Sequence, residues 1–125
     1  MPNNLAQLIE QLDAALPTSV KEEIAALPEE RLIDLHYGLN ALIRRQVFYD
    51  NDTLEGTRYF SELGGPDEAS GVLGDLYWHH VRRMHISEDI VTKLIERHGI
   101  LFTKAEQTAK VKELVNAFRC TVGDA

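Results

Sequence analysis

Apolar residues recur at helical spacing along most of this chain, and helix start and stop signals divide the pattern into short segments. The first segment, 5–16, places leucine or isoleucine on one helical face and ends before Pro17. No stretch of useful length alternates apolar and polar residues as a half-buried β-strand does. The spacing therefore predicts an all-α domain, a compact bundle of five or six helices.

Capping residues predict where the helices begin. Ser19 with Glu22, and Thr103 with Glu106, have the spacing of a capping box, in which each side chain binds the other residue's backbone N–H. A proline at the first helical position is a further start signal. The expected helix starts are Asn3 or Asn4, Ser19, Pro28, Pro66, Ser87 and Thr103.

The same signals predict one domain, 1–125, with one long loop. The helix that starts at Pro28 should continue to about Val47. Residues 48–65 form the long loop, with room for a helical turn or two, and 87–125 form a C-terminal helix pair.

The charge and cysteine content exclude several classes of protein. The net charge is −7, and residues 1–34 hold seven acids against Lys21 and Arg31, a balance of −5. Such a surface repels phosphate backbones, so we expect no nucleic-acid partner. No run approaches the roughly 18 to 20 apolar residues of a membrane span, so we expect no membrane partner. A single cysteine, Cys120, and an N-terminus without a basic stretch predict a cytoplasmic protein.

The stretch YWHHVRRMHISED, 77–89, concentrates three histidines, two arginines and the only tryptophan of the chain. No two of these histidines have the three- or four-residue spacing that would place them on one helical face, so we expect no metal and no cofactor. Arg82 and Arg83 suit the negative end of a helix dipole. Trp78 lies roughly opposite the apolar stripe that includes Leu76, and therefore either fills a second interface or is exposed.

Two other stretches, LIDLHYGLNALIRR (32–45) and GGPDEASGVLGDLYWHHV (64–81), are similar to an uncharacterised bacterial family of domains of unknown function. That family shows a helix of the form H-F-G-L-G-x-W-I-R-N, then P-D-D-x-S-G-x-I and a tryptophan. This chain departs from the pattern at Asn40, Leu42 and Arg45. The resemblance implies where the fold and a site lie, and implies no activity. The matching positions are His36, Tyr37, Gly38, Leu39, Ile43, Arg44, Pro66, Asp67, Ser70, Gly71 and Trp78.

The first motif places a polar row beside its apolar stripe. His36, Asn40 and Arg44 are four residues apart and share one helical face. If this helix crosses the next one closely, the row should face Asp67 and Ser70, and Arg44 should pair with Asp67.

Glycines support such a crossing. Gly38, Gly71 and Gly74 all fall within predicted helices, where each costs roughly 1 kcal/mol relative to alanine. Close approach of two helices would explain why they are present.

Two interpretations of the polar row remain open. In one, His36, Arg44 and Asp67 form an ionic network that holds the helix crossing together. In the other, the same groups line a pocket closed by 48–65, with His36 as a base or ligand contact and Arg44 as an anion clamp. The helix N-terminus at 66–70 would add N–H donors for an anion.

No nucleophile–base–orienter arrangement is evident, so we expect no catalytic residues. The leading hypothesis is a small acidic domain that binds another protein, a basic one by analogy with inhibitory and immunity proteins. Its candidate interaction residues are Trp78, Tyr49, Tyr59 and Phe60. The alternative is a small-molecule- or anion-binding domain or hydrolase with a pocket between the helices starting at Pro28 and Pro66. A third alternative is a homodimer through the face around Trp78.

Overall fold

The computed structural model describes residues 4–35, 38–49, 54–100 and 102–122, and every regular element in these ranges is helical. The predicted all-α class is therefore confirmed. In chain order the elements are α1 (Leu5–Ala15), α2 (Thr18–Ala26), a 3-10 helix (Glu29–Leu35), α3 (Leu39–Arg44), a π-helical turn (Arg45–Tyr49), α4 (Leu54–Ser61), α5 (Pro66–Val81), α6 (Glu88–Arg97) and α7 (Lys104–Val122).

The helix predicted from Pro28 to Val47 is interrupted. It starts as the 3-10 helix, resumes as α3 and ends in the π-helical turn. Leu32 and Leu35 both point inward from the 3-10 helix, because residues three apart share a face in 3-10 as well as in α geometry. Gly38 is the N-cap of α3 and not a position inside a helix, and a Cβ there would meet nothing within 4 Å. The close approach predicted for Gly38 is therefore wrong. The helical turn expected within 48–65 is α4.

Most of the predicted caps are present. The side chain of Asn4 accepts a hydrogen bond from Gln7 N–H at 2.9 Å, and that of Ser87 accepts one from Ile90 N–H at 3.3 Å. Thr103 forms its capping box with Glu106, with donor–acceptor distances of 2.9 and 3.2 Å.

The predicted capping role of Ser19 is wrong. The second helix begins one residue earlier, at Thr18, and Pro17 occupies the N-cap without a side-chain hydrogen bond.

Helix α5 is the centre of the bundle. Every residue from Ala69 to His79 is buried, because α2, α3, α4, α6 and α7 all pack against this helix. A helix surrounded in this way is apolar on most sides. Trp78 is therefore covered by the chain's own fold, so of its two predicted alternatives the second interface is the one observed, and Trp78 offers no exposed face to a second copy.

Within the described ranges, no helix combines the length and apolarity that crossing a bilayer requires.

Candidate ligand-binding cleft

A cleft of about 620 Å³ opens between the 3-10 helix, α3, α5 and the C-terminal end of α6. Four of its lining residues are acidic, against one arginine and one histidine. The lining residues are Glu29, Glu30, Leu32, Ile33, Asn40, Asp67, Gly71, Asp75, Arg97 and His98.

The buried end of the cleft is built around the carboxylate of Asp75, whose side chain is only 4% exposed. His98 donates a hydrogen bond from Nε2 to Asp75 Oδ2 at 2.9 Å, and Nη1 of Arg97 lies 3.6 Å from the same oxygen. His79 donates from Nδ1 to the backbone carbonyl of Asp75 at 2.7 Å. A buried carboxylate requires partners of this kind to offset its lost hydration.

Two glycines of α5 allow side chains to approach this helix closely. A Cβ on Gly71 would overlap the ring of His98, and a Cβ on Gly74 would overlap the side-chain amide of Asn40. The predicted close approach of α3 and α5 is therefore confirmed at Gly74. Gly71 instead accommodates a residue from the end of α6.

Asn40 is the unusual polar residue of the cleft wall. It is 6% exposed, and its Oδ1 atom is buried yet accepts no hydrogen bond from any residue that the structure describes. A buried polar atom left without a partner costs about 1–3 kcal/mol. Native proteins keep few such atoms, and here Oδ1 lies against Gly74 of α5, where the fold encloses it.

The rim of the cleft is acidic and partly apolar. Glu29 and Asp67 expose 65% and 75% of their side chains, and Glu30 is also exposed. Ile33 is 77% exposed, one of two large apolar side chains with high exposure among the described residues. A concave site with carboxylates at its rim concentrates positively charged ligands.

The predicted polar row is only partly brought into this cleft. Asn40 and Asp67 line it, whereas Arg44 donates from Nη1 to Ser70 Oγ at 3.2 Å and lies 3.8 Å from Asp67 Oδ1. Ser70 is fully buried and donates to the backbone carbonyl of Asp67 at 3.1 Å. This placement favours the network interpretation, in which Arg44 joins α3 to α5. His36 lies outside the described residues.

The predicted interaction residues are scattered. Trp78 is buried and donates from Nε1 to the backbone carbonyl of Leu27 at 2.9 Å, and Phe60 is fully buried. Neither of these two can contribute to a surface, because both fill the core of the chain. Tyr59 is partly buried, with Nζ of Lys110 4.2 Å from its ring centroid. Tyr49 is the exposed member of the set.

The histidine- and arginine-rich stretch holds the bundle together. Tyr77 donates to Oδ1 of Asp13, and Nε2 of His80 donates to Oδ2 of the same residue, both at 2.8 Å. Arg82 donates to the backbone carbonyl of Ala25 at 2.8 Å. These contacts join the end of α5 to α1 and α2. Among the described residues, no group of three or more His, Cys, Asp or Glu side chains is placed to hold a metal ion.

Sequence reasoning did not identify Asp75, Arg97 and His98 as site residues. One signal was present for Asp75, which is an acid in the middle of a helix whose other faces are apolar. Arg97 and His98 precede the helix-ending Gly99 and have the composition of an ordinary basic helix end. Only the tertiary packing of α6 against α5 brings them to the cleft.

Comparison with family models places residues 1–81 in a family described as "Domain of unknown function (DUF6794)". No curated protein and no solved structure matches the chain. The expectation of a domain of unknown function is thus confirmed at that level. The matched residues include the cleft positions from Glu29 to Asp75, whereas Arg97 and His98 lie beyond the match.

Proposed function

The chain belongs to the DUF6794 family of domains of unknown function, and we propose that it is a binding protein whose cleft receives a positively charged side chain of another protein. The observation that carries this proposal is a cleft of about 620 Å³ lined by the carboxylates of Glu29, Glu30, Asp67 and Asp75, beside the exposed side chain of Ile33. These carboxylates provide acceptors for N–H donors and the charge that attracts a cation.

The mixed character of the rim favours a side chain over a free inorganic cation. Lysine and arginine carry an apolar stem and a charged head, and such stems pack along apolar surface while the head stays polar. Ile33 and Leu32 supply apolar surface beside Glu30 in the same cleft. The exposed Ile33 would also contact the partner around the inserted residue.

The charge distribution of the whole chain supports a basic partner. The net charge is −7, and the acid-rich segment 1–34 includes all but the last residue of the 3-10 helix that forms one wall of the cleft. Long-range attraction of this kind raises the rate of association and selects partners of opposite charge. An anionic ligand, the class considered for Arg44, would meet the wrong sign of potential here.

The groups in the cleft favour binding over catalysis. Asp75 orients His98 as a carboxylate orients a general base, but none of the residues that line the cleft in the described ranges is a serine, threonine or cysteine. The Asp75–His98 pair therefore has no hydroxyl or thiol in this lining to activate as a nucleophile.

The proposal is tested by titrating the full, ¹⁵N-labelled chain with blocked amino acids and recording amide chemical shifts by NMR. N-acetyl-arginine amide and N-acetyl-lysine amide are the probes, and N-acetyl-glutamine amide is the uncharged control. We expect saturable shifts at Asn40, Gly71 and Asp75 with the two cations, at millimolar concentration because one side chain supplies only about −4 kcal/mol.

Charge-removing variants provide the matched control. Glu30→Gln combined with Asp67→Asn should weaken the binding of both cations, since it removes two rim carboxylates. Asp34→Asn removes an acid of the same 3-10 helix that pairs with Arg31 outside the cleft, and should leave binding unchanged. Equal weakening by both changes, or shifts spread over the whole surface, would show that the cations respond to net charge and not to the cleft.

A further inference from the structure

We infer that the cleft selects an arginine guanidinium, and that Arg97 of the chain itself holds part of this site until a partner's arginine displaces it. This inference rests on the proposed function, because it names the chemical group that the cleft receives and the contact that controls access to it.

One guanidinium already spans the cleft. Arg97 Nη2 lies 3.2 Å from Oε1 of Glu29, and Arg97 Nη1 lies 3.6 Å from Oδ2 of Asp75. Glu29 belongs to the 3-10 helix and Asp75 to α5, so the two nitrogens of a single planar group reach two different elements that line the cleft. The spacing of the two carboxylates therefore suits a fork of N–H donors. A lysine ammonium is a point charge and reaches two such separated acceptors less well.

The contact made by Arg97 is weak enough to open. The side chains of Arg97 and Glu29 are 44% and 65% exposed, and ion pairs between exposed side chains contribute little. At 3.6 Å the approach to Asp75 is an ion pair and not a hydrogen bond. When Arg97 leaves, Asp75 keeps its hydrogen bond with His98 at 2.9 Å, so the buried carboxylate is not left unpaired.

The cleft offers more acceptors than Arg97 uses. A guanidinium carries five N–H donors. Arg97 contacts Glu29 and Asp75, and the exposed carboxylate of Glu30 lines the same cleft without a described contact to Arg97. Asp67 faces the same cleft from the start of α5. An arginine entering from outside can therefore make contacts that the internal arginine does not, which favours the exchange.

The acceptors of the cleft and the arginine that occupies it come from different parts of the chain, which fits an internal competitor. The acceptors Glu29, Asp67 and Asp75 lie within the residues matched by the family model, whereas Arg97 lies beyond them. The C-terminal part of this chain thus supplies a cationic group to an acidic site formed by the family domain.

The test measures the binding of methylguanidinium and methylammonium chloride by NMR titration of three full-length proteins: wild type, Arg97→Ala and Arg31→Ala. Arg31 is the matched control, because it forms an exposed pair with Asp34 at 2.7 Å outside the cleft lining. We expect Arg97→Ala to bind methylguanidinium about threefold or more tightly than wild type, since the competing internal group is gone. Arg31→Ala should match wild type, and methylammonium should bind more weakly than methylguanidinium to all three.

The outcomes separate the two proposals. If wild type and Arg97→Ala bind methylguanidinium equally, while blocked arginine still shifts the cleft residues, displacement of Arg97 is overturned and the proposed function stands. If methylammonium binds as tightly as methylguanidinium, guanidinium selection is overturned. If no cation binds the cleft in any of the three proteins, both the proposed function and this inference are overturned. Should Arg97→Ala not fold, Arg97→Gln keeps most of the stem, removes the charge and answers the same question.

Discussion

His98 donates from Nε2 to Oδ2 of Asp75 across 2.9 Å, and this hydrogen bond joins the end of α6 to the middle of α5. The carboxylate is buried within the family-matched residues, whereas the imidazole comes from the part of the chain beyond them. The ring reaches Asp75 only because Gly71 carries no side chain in its path. A buried charge, its partner and a glycine therefore act together to close one end of the cleft.

Neutralising this carboxylate should destabilise the protein. For Asp75→Asn we expect the free energy of unfolding to fall by about 1–3 kcal/mol, because a charge-assisted bond is lost in a buried position. Removing one partner of a buried ion pair typically costs roughly 3–5 kcal/mol, because the other charge stays buried without a partner. The loss for Asp75→Asn should be smaller, since His98 and Arg97 are both partly exposed and water can hydrate them. Urea denaturation followed by the fluorescence of the only tryptophan, Trp78, measures it.

The matched control for this change is Asp67→Asn, in the same helix. Asp67 is 75% exposed and lies 3.8 Å from Arg44, so its loss should cost less than about 0.5 kcal/mol. If Asp75→Asn and Asp67→Asn lower the free energy of unfolding equally, the buried carboxylate of Asp75 does not stabilise the fold as proposed.

Gly74→Ala should also destabilise the protein, although alanine favours a helix by about 1 kcal/mol over glycine. The added methyl group overlaps the Asn40 side chain, and overpacking of this kind typically costs about 1–3 kcal/mol. In urea denaturation we expect Gly74→Ala to lower the free energy of unfolding. The double variant Asn40→Ala/Gly74→Ala should recover most of that stability. A stabilising Gly74→Ala would mean that Asn40 does not lie against α5.

Asn40→Ala separates a binding role from a structural one. Truncating a buried asparagine that is hydrogen-bonded within the fold lowers the free energy of unfolding by about 1–3 kcal/mol. Here the Oδ1 atom accepts nothing from the described residues, so the free energy of unfolding should change by less than about 1 kcal/mol. Binding of N-acetyl-arginine amide should be unchanged in the same variant, because Oδ1 lies against Gly74 and not towards an entering ligand. A large loss of stability would show that Asn40 has a partner within the fold, and weaker binding would show that its side chain reaches the ligand.

Local signals predicted the helix ends well because capping depends on residues within one turn of each other. Asn4, Ser87 and Thr103 each bind a backbone N–H three residues away. The spacing of Leu32 and Leu35 could not reveal the 3-10 geometry, since residues three apart share a face in both kinds of helix.

The cleft could not be predicted because its groups are distant in the sequence. Glu29, Asp75 and Arg97 come from three elements, and no spacing rule relates them. The contact of Arg44 with Ser70 could be predicted, because each residue lies on a motif whose helical phase the sequence shows. The pattern of α5 alone leaves open whether Trp78 fills a second interface or is exposed, because it does not show that the end of α2 covers this side chain.

Trp78→Phe should cost about 1–3 kcal/mol of the free energy of unfolding. The change removes the N–H that donates to Leu27 at 2.9 Å and leaves that carbonyl only the 3.4 Å contact from Arg82. Far-ultraviolet circular dichroism is the appropriate signal, because the variant has no tryptophan. Tyr49→Phe alters an exposed side chain and should remain within about 0.5 kcal/mol. Similar costs would restore Trp78 as a candidate surface residue.

Tyr77 should make the stability of the fold sensitive to alkaline pH. Burial of its ring, together with the hydrogen bond to and the charge of Asp13, raises the pKa of Tyr77 above its ordinary value of about 10. Above that pH the unfolded chain loses the proton while the folded protein retains it, so the unfolded state binds fewer protons. The free energy of unfolding therefore falls as pH rises, by up to about 1.4 kcal/mol per pH unit for each such group.

Replacing Tyr77 by phenylalanine should reduce this alkaline loss without removing it. Burial and the nearby carboxylate of Glu113 also raise the pKa of Tyr59, which contributes in the same direction. In urea denaturation from about pH 8 to 11, we expect Tyr77→Phe to lose stability with roughly half the wild-type slope. At the lower pH it should cost about 1 kcal/mol for the missing hydrogen bond to Asp13. If the free energy of unfolding of Tyr77→Phe falls with pH as steeply as that of wild type, Tyr77 ionises as freely in the folded protein as in the unfolded chain. That result would contradict the buried hydrogen bond from Tyr77 in α5 to Asp13 in α1.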